Sequence, residues 1–297
     1  MKFNSMNDNF LKQLSKSRAI SKDEKYPKIS IVMPSYNQAK FIERSILSVL
    51  NQNYPNIELI IIDGGSNDGT VDIIKKYEHK IYFWLSEKDK GQSDALNKGF
   101  ENCSGEFYGW LNSDDIYLPD TFEILGHLFE KKLYKKIIYG DWLFINSKDE
   151  VIEYYHAFDF NLNHFKYEGF HLNAQSMFWH KSVHERFTGF QIDLHNTMDY
   201  QMILEFGINE GQKTFMRIPK ALGAFRRYEG QKTSKMTNQI QNEHKLISER
   251  YQYTDKYKLT GKLKRLYFRF RRAFWYYKRG GIYNLIVKFK NAYIANS

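Results

Sequence analysis

The chain has 297 residues, with 44 Lys and Arg against 34 Asp and Glu, for a net charge of +10. That length accommodates one large α/β unit with an appendage, or two modest units, and the apolar and aromatic content is ample for a core. One cysteine, Cys103, excludes an internal disulfide and fits a reducing compartment, and no apolar run approaches a membrane span.

Residues 1–26 read as a polar leader without the hydrophobic segment of a secretory signal, so the protein is expected to stay in the cytoplasm unless something docks it elsewhere. Residues 28–33 are rich in β-branched side chains and end at Pro34-Ser35-Tyr36-Asn37. Phe41, Ile42, Ile46, Val49 and Leu50 then recur at helical spacing. Turn residues at 53–56 lead into 58–62, a continuous apolar run of the kind buried on both faces of a parallel sheet. It ends at Asp63-Gly64-Gly65-Ser66-Asn67-Asp68-Gly69-Thr70, after which Val71, Ile73, Ile74 and Tyr77 mark a second helix. A strand over 81–85, a helix over 93–100 and a strand over 106–111 follow, the last running into Asn112-Ser113-Asp114-Asp115. Beyond Pro119 the pattern gives a helix, then a strand over 137–140. Residues 142–180 are aromatic and yield no element; an amphipathic helix over 199–210 and a strand over 214–218 come next, and from 236 the chain turns helical and basic.

Strand and helix alternating at roughly 25-residue intervals is the βαβ rhythm of an open, mostly parallel sheet flanked by helices. The pattern divides the chain into a leader (1–26), an α/β domain (27–235) and a basic aromatic tail (236–297). In such sheets ligands bind in the crevice at the carboxyl ends of the strands. Three strand ends converge there: Pro34 to Asn37, Asp63 to Ser66, and Asn112 to Asp115. Asp63 can accept hydrogen bonds from a nucleobase or ribose, and Gly64 and Gly65 let backbone approach a ligand closely; a tight turn with a helix cap explains the same residues. Adjacent acids such as Asp114 and Asp115 repel unless a positive charge arrives, and a divalent cation on a diphosphate supplies one; the alternative is a cap for the next helix. No G-x-G-x-x-G follows the first strand and no P-loop occurs.

Together these segments resemble family 2 glycosyltransferases of the GT-A fold. The residues that carry the resemblance are Pro34-Ser35-Tyr36-Asn37, Ile62 to Thr70, Gly91-Gln92-Ser93-Asp94-Ala95-Leu96-Asn97-Lys98-Gly99 and Trp110 to Asp115, in the family's order and spacing across about residues 28–228. The resemblance implies a Rossmann-like α/β domain and an inverting transfer of a sugar from a nucleotide-diphosphate donor, UDP-linked, to an acceptor hydroxyl. It further implies that Pro34, Ser35, Tyr36, Asn37, Asp63 and Gly65 hold the nucleotide, that Gln92 and Asp94 line the same pocket, and that Asn112-Ser113-Asp114 stands at the family's D-x-D motif. Asp114 would then hold Mn²⁺ or Mg²⁺, and Asp199 would be the base that deprotonates the acceptor; the bland reading of Asp199 is a first-turn helix acid. Arg226 and Lys232 match a segment that neutralises the leaving group, or form a solvated basic loop.

The chain departs from the family in three places: Asn112 and Gly64 stand where many relatives carry Asp, and Leu96 where they often carry Arg, leaving Lys90 as the candidate basic contact. These departures support a rival reading, a degenerate transferase that binds nucleotide-sugar or a partner without turnover. From Asp255 onward the chain has twelve Lys or Arg and one acid. Leu266, Phe270, Phe274 and Tyr277 form one helical stripe among Arg269, Arg271, Arg272 and Lys278. Such a helix binds an anionic membrane surface, or packs its stripe on the domain. The first choice predicts a peripheral protein at the inner face of the membrane, acting on a glycan or lipid-linked acceptor in surface polysaccharide assembly. No nucleic-acid-binding pattern occurs, and His156, His164, His171, His180, His184 and His195 lack metal-ligand spacing.

Overall fold

The computed structural model describes residues 26–169, 171–232 and 237–294, with backbone alone at 237 and 279–294. The leader lies outside the described residues. β1 (Ile29–Ser35), α1 (Ile42–Leu50), β2 (Ile57–Asp63), α2 (Thr70–Lys76), β3 (Phe83–Ser86), α3 (Gln92–Glu101) and β4 (Phe107–Trp110) follow the predicted order. β5 (Ile116–Tyr117) and α4 (Thr121–Glu130) come next. The second half holds β6 (Ile137–Ile145), β7 (Val151–Tyr155), α5 (Leu162–Glu168), β8 (Met177–His180), α6 (Lys181–His184), α7 (Met198–Glu210), β9 (Phe215–Arg226), α8 (Thr237–Arg250) and α9 (Leu259–Ile294).

One sheet runs in the order β3-β2-β1-β4-β8-β6-β9-β5, with β7 on β6. The predicted parallel pattern describes β3, β2, β1 and β4. Beyond β4 the sheet is mixed: β8 runs antiparallel to both β4 and β6, β5 runs antiparallel to β9, and β6 and β9 are parallel. β1 explains why Ile29, Ile31, Val32 and Met33 are all apolar. Ile31 and Met33 face a core beneath α1 and α4, while Val32 faces a second core beneath α3 and α7. Each fully buried Ile or Val contributes about 1.5–3 kcal/mol. α3 lies directly on β1, because a Cβ at Gly99 would come 2.3 Å from Val32 Cγ1.

The predicted strands at 137–140 and 214–218 are the starts of much longer ones. Pro219 hides the continuation of β9: Ile218 pairs with Gly140, and the next pair is Ala221 with Asp141. Pro219 and Lys220 therefore bulge out, which spares the ladder a residue without an N–H. α7 is not amphipathic. It buries side chains on nearly every face, from Met198 through Gly207, because α8 covers the side that sequence reading leaves to solvent. α8 gives Ile247, and the turn after it Tyr253, to the same core as Trp110 and Trp179, so the core does not stop at the predicted boundary of 235.

α9 shows two faces. Phe268 stacks on His164, Trp275 packs on Phe158, Arg272 pairs with Glu168, and Tyr276 donates to the His156 carbonyl. The opposite face presents Leu263, Leu266, Tyr267, Phe270, Phe274 and Tyr277 to solvent, with Phe270 67% exposed. Of the two readings of the stripe, packing on the domain thus belongs to other residues.

Candidate functional site

β1, β2 and β4 end on the same edge, and their loops are pinned to one another. The Gly64 N–H donates to the Ser35 carbonyl at 2.8 Å. Asn37, in the left-handed region with φ 51, donates its N–H to Ser66 Oγ and accepts from the Asn67 N–H. The Ala39 N–H and the Thr70 N–H both reach Asp68. Asp63 is buried and takes four hydrogen bonds, from the N–H groups of Gly65 and Ser66 and from the hydroxyls of Ser66 and Ser86. Its first task is to shape the turn. Pro34 and Ser35 are buried at the strand end, Ser35 Oγ without a hydrogen-bond partner, and Tyr36 stands out from the rim, 61% exposed. Gly65 takes φ 82, and a Cβ at Gly64 would lie 2.8 Å from Asp89 Oδ2, so the Asp89 carboxylate fills the space of the missing side chain.

The acidic turn after β4 divides its two carboxylates. Asp115 is fully buried and accepts from the Arg226 N–H at 2.8 Å and from Asn112 Nδ2 at 3.1 Å. Burial first, then the neighbouring Asp114 charge, pushes its carboxyl well above the ordinary range. Asp114 keeps partial exposure, accepts from the Tyr228 hydroxyl at 3.0 Å, and is also raised by desolvation. A poorly solvated pair of acids gains most from an incoming cation. Asn112 is fully engaged: its carbonyl accepts from Gln92 Nε2 and Trp110 Nε1, both at 2.8 Å, and its amide serves Asp115. Ser113 is buried, and its carbonyl accepts from Ser45 Oγ.

The start of α3 joins the third element. Gln92 reaches Asn112, and Ser93 Oγ donates to the Leu194 carbonyl in the loop that leads to α7. Gly91 N–H donates to Asp89, and Asp94 accepts from the Lys90 N–H and pairs with Lys98. Asp199, the second residue of α7, is partly exposed yet strongly desolvated, and burial pushes its carboxyl up to about 7. The Tyr200 N–H, at 2.8 Å, pulls the other way. A carboxylate at that value suits general-base work near neutral pH. Lys232 is exposed and lies within electrostatic reach of Asp199, Glu243 and Asp89.

Arg226 is not available to a leaving group. Its guanidinium is fully buried, pairs with Asp149, donates to the carbonyls of Asp114 and Asn146, and lies 4.7 Å over the Phe41 ring. The expectation placed on it is corrected: it is the pillar under the acidic turn. Sequence reading also passed over Asp89 and Glu243. Asp89 sits in a charged run that reads as a solvated turn, and Glu243 lies on a helix that carries no motif. The histidines behave as packing and capping groups: His164 and His171 are buried among rings, and His180 caps α6.

Among the described residues no group of three or more His, Cys, Asp or Glu is arranged to hold a metal ion. A Mg²⁺ or Mn²⁺ ion is commonly held by one or two carboxylates and the substrate's phosphates. The donor set fits that arrangement through Asp114, since Asp115 and Asn112 are committed elsewhere. A cavity of about 360 Å³, lined by Lys135, Asp159, Lys213 and Arg217 among others, lies where β6 and β9 begin, at the opposite edge of the sheet.

The profile of glycosyl transferase family 2 matches residues 30–188, just over half of the chain; Asp199, Arg226 and Lys232 lie beyond the match. An uncharacterized glycosyltransferase of Rickettsia felis is 37% identical over 131 residues, which is 43% of this chain and 22% of that protein. Chondroitin synthase of Escherichia coli is 36% identical over 118 residues, 39% of this chain and 17% of that one. The chain thus spans less than a quarter of either relative's length. S. aureus TarS 1-349 in complex with UDP-GlcNAc superposes with a TM-score of 0.62 at 16% identity, covering 81% of this chain and 71% of that one. Mannosyltransferase PcManGT from Pyrobaculum calidifontis, in complex with GDP-Man and Mn²⁺, gives 0.55 at 13% identity, covering 99% and 88%. At those identities the likeness establishes the fold, a GT-A mixed α/β sheet flanked by helices.

Proposed function

The chain belongs to glycosyl transferase family 2, and from that premise we propose that it moves one sugar from a UDP-linked donor to an acceptor hydroxyl, with inversion. The observation that carries this reading is the wiring around the start of α3. Gln92 fastens to the acidic turn and Ser93 to the loop before Asp199, while the Asp89 carboxylate lies against Gly64 in the nucleotide turn. Ser35, Tyr36, Asn37 and the Asp63 turn take the nucleotide. Asp114 would hold a divalent cation, and such an ion would supply charge neutralisation for the leaving group. The acceptor oxygen attacks the anomeric carbon as the bond from that carbon to the diphosphate oxygen breaks; Asp199 takes the hydroxyl proton, and UDP departs with the electron pair. Tyr228, on Asp114 and against Phe41, lies over the same place, and Lys232 remains a candidate cation for the departing diphosphate.

The setting we infer is assembly of a surface polysaccharide or lipid-linked glycan at the cytoplasmic face of a membrane. Its support is the open face of α9, an apolar row with Lys262 and Arg269 on one flank and Arg271 and Lys278 on the other, complementary to anionic lipid. Among the described residues no helix is long and apolar enough to cross a membrane. A panel of nucleotide-sugars tests the activity, with UDP release and transfer to a lipid-linked acceptor measured with and without Mn²⁺. Metal-dependent turnover of one UDP-sugar is the expected result. Binding without turnover would favour the non-catalytic alternative, to which Asn112 lends its amide.

A further inference from the structure

The loop that delivers Asp199 to the rim is held from outside the family-matched segment. Glu243, on α8, is buried and accepts five hydrogen bonds from three consecutive residues. They come from the N–H groups of His195 (3.2 Å), Asn196 (2.9 Å) and Thr197 (3.0 Å), Asn196 Nδ2 (3.2 Å) and Thr197 Oγ1 (2.9 Å). Free N–H groups at a helix start ordinarily steady an ionised acid in the first turn and weaken it as a base. Here the donors just ahead of α7 point at Glu243, and Asp199 has the Tyr200 N–H and its own.

We propose that Glu243 is a positioning residue for the base: it fixes the entry into α7 and draws the local N–H groups to itself, leaving Asp199 able to take a proton. The proposal rests on the reading of Asp199 as the base. The charges that face Asp199 are Glu243 from α8, which favours the protonated acid, and Lys232 from the segment after β9, which opposes it. Lys232 in turn faces Glu243 and Asp89. His244, beside Glu243, turns its ring onto Tyr200 at 4.6 Å and is held neutral by burial, its value down to about 4.

The test measures kcat and KM for donor and acceptor between pH 5 and 9 in the full chain, for Glu243→Gln, Glu243→Asp and Asp199→Asn. Glu243→Gln removes the charge and keeps one acceptor oxygen where Glu243 uses two, while Glu243→Asp keeps both acceptors. Its acidic limb should move about half a pH unit or more toward acid, and kcat should fall about tenfold, while donor KM stays within about twofold. Glu243→Asp keeps the charge but shortens the reach, so kcat falls and the limb stays in place. If Glu243→Gln does not fold, the Glu243→Asp drop in kcat at constant donor KM supports the role, and an unchanged kcat overturns it. A Glu243→Gln enzyme with a lowered melting temperature but an unmoved limb and unchanged kcat shows a structural cap and refutes the proposal. An active Asp199→Asn enzyme refutes the base itself, a separate failure.

Discussion

Replacing Asp199 with asparagine should remove activity and, at alkaline pH, raise stability. Burial lifts the Asp199 carboxyl from 3.8 to about 7, so ionising it in the folded protein is about 4 kcal/mol harder than in the open chain. The sign follows from proton counting. Between those two values the folded state holds the proton and the unfolded state has lost it, so stability declines as pH rises and levels off above about 7. Asparagine has no such dependence. The variant should therefore match the parent near pH 3.5, gain part of the difference at pH 5.5, and gain about 2–4 kcal/mol at pH 8, allowing for Lys232 and partial exposure. For a chain of this size that is roughly 5–10 °C in melting temperature. Calorimetry of both proteins at the three pH values, beside a transfer assay in which the variant loses about 10²–10⁴-fold, checks both halves. A stability gain that is the same at every pH would refute the desolvated-carboxylate argument, and full activity would refute the base.

Asp114→Asn should abolish Mn²⁺-dependent donor binding, read by calorimetry, while leaving metal-free UDP binding through the Asp63 turn within a few-fold. Arg226→Met strips a buried carboxylate, Asp149, of one of its two arginine partners and removes two carbonyl contacts; it should cost about 3 kcal/mol in urea unfolding. Asn112→Asp, toward the common family residue, brings a carboxylate to where the amide now lies 3.1 Å from Asp115 Oδ2, and should destabilise by about 1–3 kcal/mol or raise both carboxyls further. Phe270→Glu with Phe274→Glu should leave folding and soluble turnover intact but release the protein from anionic vesicles in a co-sedimentation assay; equal sedimentation would remove the membrane role of α9.

The first half of the molecule is legible in the sequence because each segment follows a local rule. The run 59–62 is apolar throughout since β2 is buried on both faces, and the loops after β1, β2 and β4 carry residue types that only turns or sites require. The second half obeys longer-range constraints. Residues 142–180 form β7, α5 and β8, but β8 inserts between β4 and β6, and nothing local announces an antiparallel strand there. Pro219 reads as a stop, though a bulge carries β9 past it. For the candidate site, the resemblance to the family proposes Asp63, Asp114 and Asp199, while the commitments of Arg226 and Glu243 depend on partners far away in the chain. An arginine beside acids looks identical in sequence whether it faces a ligand or a buried aspartate.

The pairing of β5 has a consequence for biogenesis. Ile116 and Tyr117 find their ladder partners in Ala224 and Gly223, and Asp115 is anchored by Arg226, 111 positions further on. A nascent polypeptide emerging from the ribosome can therefore assemble β1 to β4 early, yet its acidic turn stays unsupported until β9 has been translated. Under the proposed function the metal-dependent part of donor binding is then a late event, and a ribosome-stalled intermediate ending before β9 should retain the early strands while failing to hold a metal-bound diphosphate.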